Sequence, residues 1–273
     1  MRIVGIIVMT CLGAVAFGQR SADCSPDDSA HILSIQNLAS RSTTLAPGTI
    51  VKVLWCDLEF PAATTPISSV SLDGIPIPYS ISPQSVFQTT SLSSVLSYGY
   101  PGFTPRELRI TIPPIAGTFA HNPTVQLMQN GGLLASLETE LEDFSPGLFT
   151  MDQKLNGPVV ARNPAQASLN ADYIGGNSLV YVGDTITVYA TGLGAADQFA
   201  GTLPVIPDVY VGDQPAVVID ARPITGITAF FAPPGLYQVT FVVPPVGPSD
   251  NPQPIYIQIG GVKSNVAKLA VRP

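Results

Sequence analysis

Charge is scarce in this sequence. Lys and Arg number 12 and Asp and Glu 19 among 273 residues, 11% in all, against roughly 25% in an average soluble domain. The shortage of cations, with a net charge of −7, excludes nucleic acid as a partner, because phosphate binding needs a basic patch to displace counterions. Histidine occurs twice, as His31 and His121, and neither stands at ligand spacing, so no metal site is expected on them. A Gly-x-Ser-x-Gly elbow, a His-Glu-x-x-His pair and a phosphate-cradling loop are all missing, and with them the signatures of acyl transfer, zinc hydrolysis and nucleotide binding. The expectation is no catalytic residue, no cofactor and no enzyme, with a hydrolase of unrecognised site as the remaining alternative. Helical periodicity of any length is also lacking.

Long apolar runs are rare too. Ile3 to Phe17 is apolar, preceded by Arg2 and followed by Gly18. It is shorter than the roughly 20 residues a bilayer core requires, and Ala16-Phe17-Gly18 offers small residues where a signal peptidase reads. Residues 1–18 therefore read as a signal peptide, with cleavage before Gln19 and an exported chain, periplasmic or extracellular. Cleavage removes Cys11 and leaves two cysteines, Cys24 and Cys56. In an oxidising compartment they are expected to form one disulfide, closing a loop worth about 3–4 kcal/mol in the chain-entropy model. Cys56 lies out of phase with Val51, Val53 and Trp55, so the bridge is expected on the outer face or rim.

What the sequence has in quantity is turn formers, 24 Gly and 27 Pro, below the level of a low-complexity chain. Between them runs an internal repeat. Gly48-Thr49-Ile50-Val51-Lys52-Val53 lies over Gly183-Asp184-Thr185-Ile186-Thr187-Val188, and Glu107 through Pro114 lies over Gln238 through Pro245. In a third block, Asn122-Pro123 through Gly131-Gly132 lies over Asn251-Pro252 through Gly260-Gly261. There the glycines place Gln126 over Ile255, whereas the pleat places Val125 over Ile255; a one-residue bulge in one half would reconcile them. Apolar residues alternate with polar ones in these blocks, as in strands with one face on a core. Leu72-Asp73-Gly74-Ile75 and Val211-Gly212-Asp213-Gln214 read as matching hairpin turns. The fold expected is all-β: two tandem immunoglobulin-like β-sandwiches after the signal peptide, over 19–143 and 144–273, each of about seven strands. Thr150 to Asn177 reads as a loose hairpin entering the second.

Four stretches carry a family resemblance: Ser145 to Thr150, Tyr189 to Gly194, Pro234 to Val239 and Ile259 to Asn265. In that order they resemble the immunoglobulin-like C-terminal domain of exported acidobacterial proteins and, more loosely, the IPT/TIG class, over roughly 144–273. The resemblance implies β-sandwiches at or outside the cell envelope and brings no catalytic residues.

Candidate functional residues are few. Tyr98, Tyr100 and Phe103 precede one repeated strand, and Phe230 and Phe231 precede its equivalent. These rings could recognise a partner by stacking, but capping the sandwich ends or filling the seam between the domains is the preferred reading. Glu138, Glu140 and Glu142 share one strand face, and Asp23, Asp27 and Asp28 cluster near Cys24. Each reads as a solvated acidic group, with calcium as the sharper alternative. The function expected is a non-catalytic structural or binding module whose partner is another exported protein or a glycan. A carbohydrate-binding accessory role is the alternative.

Overall fold

Alternating apolar side chains build the central strands of the computed structural model, which describes residues 30–56, 67–81, 106–113, 122–163, 180–195, 203, 205–224, 235–247 and 252–272. The first half forms β1 (His31–Asn37), β2 (Thr44–Leu45), β3 (Ile50–Cys56), β4 (Ser69–Leu72), β5 (Ile75–Pro76), β6 (Tyr79–Ile81), β7 (Arg106–Thr111), β8 (Thr124–Gln129), β9 (Gly132–Glu138) and β10 (Glu140–Leu141). The second forms β11 (Gly147–Leu148), β12 (Ala161–Arg162), β13 (Val180–Tyr181), β14 (Thr185–Thr191), β15 (Asp208–Val211), β16 (Gln214–Pro215), β17 (Val217–Pro223), β18 (Tyr237–Val242), β19 (Gln253–Ile259), β20 (Val262–Lys263), β21 (Ala267–Leu269) and β22 (Val271–Arg272). Among the described residues there is no helix long and apolar enough to cross a membrane.

In the first sandwich, sheet β1-β3-β7-β6 faces sheet β5-β4-β8-β9. Val51, Val53 and Trp55 pack with Leu108 and Ile110 from one sheet, and with Val70 and Leu127 from the other, in one core. In the second, β11-β14-β18-β17 faces β16-β15-β19-β20, with Val188, Val239 and Phe241 packed against Val209, Ile255 and Ile257. Each core is made by the inward residues of two pleated sheets.

The repeat extends beyond the three blocks. Parallel pairing of β2 with β10 recurs as parallel pairing of β13 with β22. β1 runs along β3 as one strand with a register shift between Ile32 and Ser34, and its counterpart is split: β11 pairs Leu148 with Ala190, and β12 pairs Ala161 with Val188. Between them the chain turns back on itself, with Thr150 bridged to Val159. This turn lies within the stretch expected to form a hairpin after residue 150; residues 164–179 lie outside the described residues.

The third block resolves on the pleat. Val125 and Ile255 are both fully buried. The turn residues with positive φ are Asn130 and Gly131 in one half, and Gly260 and Gly261 in the other. Such a pair is what a two-residue type I′ hairpin requires, so the counterpart of Gly260-Gly261 is Asn130-Gly131, and Gly132 already belongs to β9. A one-residue slip is present in both halves, so the bulge expected in one half alone is not what separates the two alignments. The register slips by one residue between Leu127 and Met128 on β8, and by one residue between Ile255↔Ala267 and Gln258↔Lys263 on β19. The other matching turns stand as expected, with positive φ at Asp73 and Gly74, and at Gly212 and Asp213.

Candidate binding surface

Described residues from each of the four stretches that carry the family resemblance meet where the two sandwiches abut. Thr191, fully buried at the end of β14, accepts a hydrogen bond at Oγ1 from the Ile50 amide (2.7 Å) and donates to the Gly48 carbonyl (3.3 Å). Tyr237 donates its hydroxyl to the Gly194 carbonyl at 2.8 Å and lies against Gly48 of the first sandwich. Ser145 ties both sides: its amide donates to the Gly192 carbonyl (2.9 Å) and its hydroxyl to the Thr44 carbonyl (2.6 Å). The Ser145 carbonyl accepts from Asn37 Nδ2 at 2.7 Å. Around these bonds Ile50 packs with Phe149 and Leu236 in a small apolar cluster drawn from both halves. Asn265 holds the remaining stretch: it accepts from the Leu148 amide at 2.8 Å and donates to the carbonyls of Leu148 (3.1 Å) and Leu155 (2.9 Å). Buried polar groups that all find partners, beside an apolar cluster, fix one arrangement of the two bodies.

Burial raises the pKa of the Tyr237 phenol above its ordinary value. The folded state therefore holds this proton more tightly than the unfolded chain does. The associated stability is fully present below about pH 10, the unfolded value, and is lost as pH rises through the higher folded value. Tyr237→Phe removes that dependence. It is expected to cost on the order of 1 kcal/mol at neutral pH and to show a shallower fall in melting temperature than the parent above about pH 10. An identical alkaline fall in both proteins would assign the titration elsewhere.

The junction shapes an open groove of about 470 Å³. It is lined by Ser40 and Ser42 of the first sandwich, by Ser145 and Pro146, and by Leu155 and the segment Val262–Val266. Its volume lies within the range of small-ligand sites. Beside it, on the outer face of β15–β19–β20, Tyr210 and Tyr256 stack at 4.9 Å between centroids, 12° from parallel. Lys263 Nζ lies 3.5 Å from the centre of the Tyr256 ring. Desolvation, with the Asp213 carboxylate and Tyr210 adding to it, raises the Tyr256 phenol. Tyr256 thus stacks on Tyr210 and carries an ammonium against its ring. The pair is a cross-strand ladder that supports the sheet, not an open ring platform.

The residues singled out in the sequence fare differently. Tyr98, Tyr100, Phe103, Phe230 and Phe231 lie outside the described residues, as do His121, Asp23, Asp27, Asp28 and Cys24. Cys56 ends β3 opposite His31 and is 1% exposed. The neighbouring outward positions Lys52 and Leu54 are only half-buried, so the outer face is covered at this end of the strand. Glu138, Glu140 and Glu142 are exposed, and Glu140 accepts a hydrogen bond from the Thr44 hydroxyl at 3.2 Å. Among the described residues no group of three His, Cys, Asp or Glu side chains is placed to hold a metal. Asn37 and the groove were not legible in the sequence: Asn37 closes a turn through the Ala39 and Ser40 amides, as many exposed asparagines do.

No family model matches the chain, and no curated protein matches it. Among solved structures, SGBP-B of the Bacteroides ovatus mixed-linkage glucan utilization locus, in complex with a mixed-linkage heptasaccharide, is similar over 91% of this chain and 46% of that one, at 10% identity and a TM-score of 0.36. This chain therefore spans less than half the length of that protein. The titin tandem immunoglobulin domains A164-A165 are similar over 90% of this chain and 97% of that one, at 9% identity and a TM-score of 0.21. Likenesses of this size assign no family and carry no ligand across. The tandem sandwich fold rests on the sheets described above.

Proposed function

We infer that the protein is a non-catalytic structural or binding module in which two sandwiches are joined as one body, exported to the periplasm or the extracellular space. The observation that carries the reading is the convergence of Ser145, Thr191, Tyr237 and Asn265 on the junction and on the groove walls. Side chains spent on holding two bodies together suit a rigid scaffold that presents a surface. The signal peptide over 1–18, the sandwich limits 19–143 and 144–273, the Cys24–Cys56 disulfide and membership of the acidobacterial immunoglobulin-like family belong to this reading, each on the sequence features given above. Carbohydrate binding through Tyr98, Tyr100, Phe103, Phe230 and Phe231 is the competing form of it, supported by their placement in the sequence alone.

The test pairs retention with turnover. The purified protein is run through native gels cast with neutral or acidic polysaccharide, then incubated with the same polymers and with casein. The reading expects no release of reducing ends or peptides above a heat-denatured control. Product release that requires the native fold would overturn it.

A further inference from the structure

We propose that the junction groove binds an extended peptide segment of another exported protein, one that adds to β20, places an aliphatic side chain in the groove and sets a carboxylate against Lys263. The proposal rests on the binding-module reading and names the partner class for it.

Three observations select a peptide. First, β20 (Val262–Lys263) is the last strand of its sheet, and both its residues line the groove. A sheet edge recognises an extended chain through main-chain hydrogen bonds, while alternate side chains enter pockets beside it. Second, Leu155, Val262 and Val266 present large aliphatic surface there, at 44%, 41% and 38% exposed. Aromatic rings are absent from the described residues lining the groove. Sugars are held largely by aromatic faces, and the one nearby ring pair is already stacked and capped; aliphatic walls suit Val, Ile or Leu side chains. Third, Lys263 is the charged residue among those lining the groove, in a chain whose net charge is −7. This lysine gives a carboxylate in the groove a short-range ion-pair partner.

The site is also preformed. Asn265 ties the Leu148 and Leu155 backbone to the Val262–Val266 segment, and Asn37 ties Ser40 to Ser145. A partner therefore does not have to order the site on binding.

The probe is a blocked pentapeptide of alternating Val and Thr carrying one Asp, titrated into the isotope-labelled full-length protein and followed by amide NMR. Expected is saturable movement of the Val262–Val266 amides. The Kd should weaken about fivefold, the scale of a solvent-exposed ion pair, when Asp is replaced by Asn in the peptide or in Lys263→Gln. Val262→Arg should abolish the movement while leaving Trp55 fluorescence and the melting temperature as in the parent. Saturation that is indifferent to both charge changes overturns the proposal. So do unmoved groove amides at millimolar peptide, and saturation of the same amides by cellohexaose. Peptide or sugar binding elsewhere on the protein would overturn the groove assignment and leave the binding-module reading standing. Turnover in the polysaccharide and casein assays would overturn that reading instead.

Discussion

Gly192→Ala should lower stability by about 3 kcal/mol, whereas Gly131→Ala should cost only about 1. Both glycines have a left-handed backbone, with φ of +71° and +79°, so both pay the conformational penalty of a Cβ there. Only one pays a steric penalty. A Cβ on Gly192 would overlap the Ser145 carbonyl oxygen and come within 3.0 Å of Thr49 Oγ1, whereas one on Gly131 would meet nothing within 4 Å. The obstacle at Gly192 is backbone, which cannot swing aside, and it is the carbonyl that accepts the Asn37 Nδ2 bond from the first sandwich. Relief requires the two sandwiches to part or the turn to shift. Urea unfolding of the two variants beside the parent measures the difference. Equal losses would mean that the junction yields freely and that the packing there contributes little.

Phe241→Ala should cost about 3–5 kcal/mol, the usual loss for a large aromatic truncated in a core. Phe241 is fully buried in the second sandwich. The distinctive expectation concerns where the loss is felt. The chain has a single tryptophan, Trp55, and it lies in the core of the first sandwich. Its fluorescence therefore reports unfolding of the half that the substitution does not touch. If the junction couples the two bodies, the Trp55 transition of Phe241→Ala moves to lower urea together with the far-ultraviolet circular dichroism transition, because probes of one cooperative unit coincide. A Trp55 transition left at the parental midpoint would show two independently folding sandwiches.

Much of the fold was legible because β-structure writes its pleat into the sequence. Val51, Val53 and Trp55 alternate with Lys52 and Leu54, and burial follows that alternation. Residue identity and conformation part company at the third block. Gly131-Gly132 matches Gly260-Gly261 by letter, but the turn selects for positive φ, and asparagine adopts it readily. The Asn130-Gly131 pair is therefore the true counterpart. The motif residues show a different limit. Thr191, Tyr237 and Asn265 belong to stretches that the sequence singled out, but their common destination depends on contacts spanning 43 to 143 positions. No local period or spacing reports a contact of that range. The groove was invisible for the same reason: its walls come from Ser40, Ser145, Leu155 and Val262, ordinary residues that acquire meaning only when two sandwiches meet.

The junction's rigidity is tested most directly by residual dipolar couplings of backbone amides in the full-length protein, fitted separately for β3, β7 and β8 and for β14, β18 and β19. A joint held by Asn37, Ser145, Thr191 and Tyr237 requires both sets to share one alignment tensor, in magnitude and in orientation. Two tensors of different magnitude would mean that the sandwiches reorient independently, and the account of a single rigid binding body would be wrong.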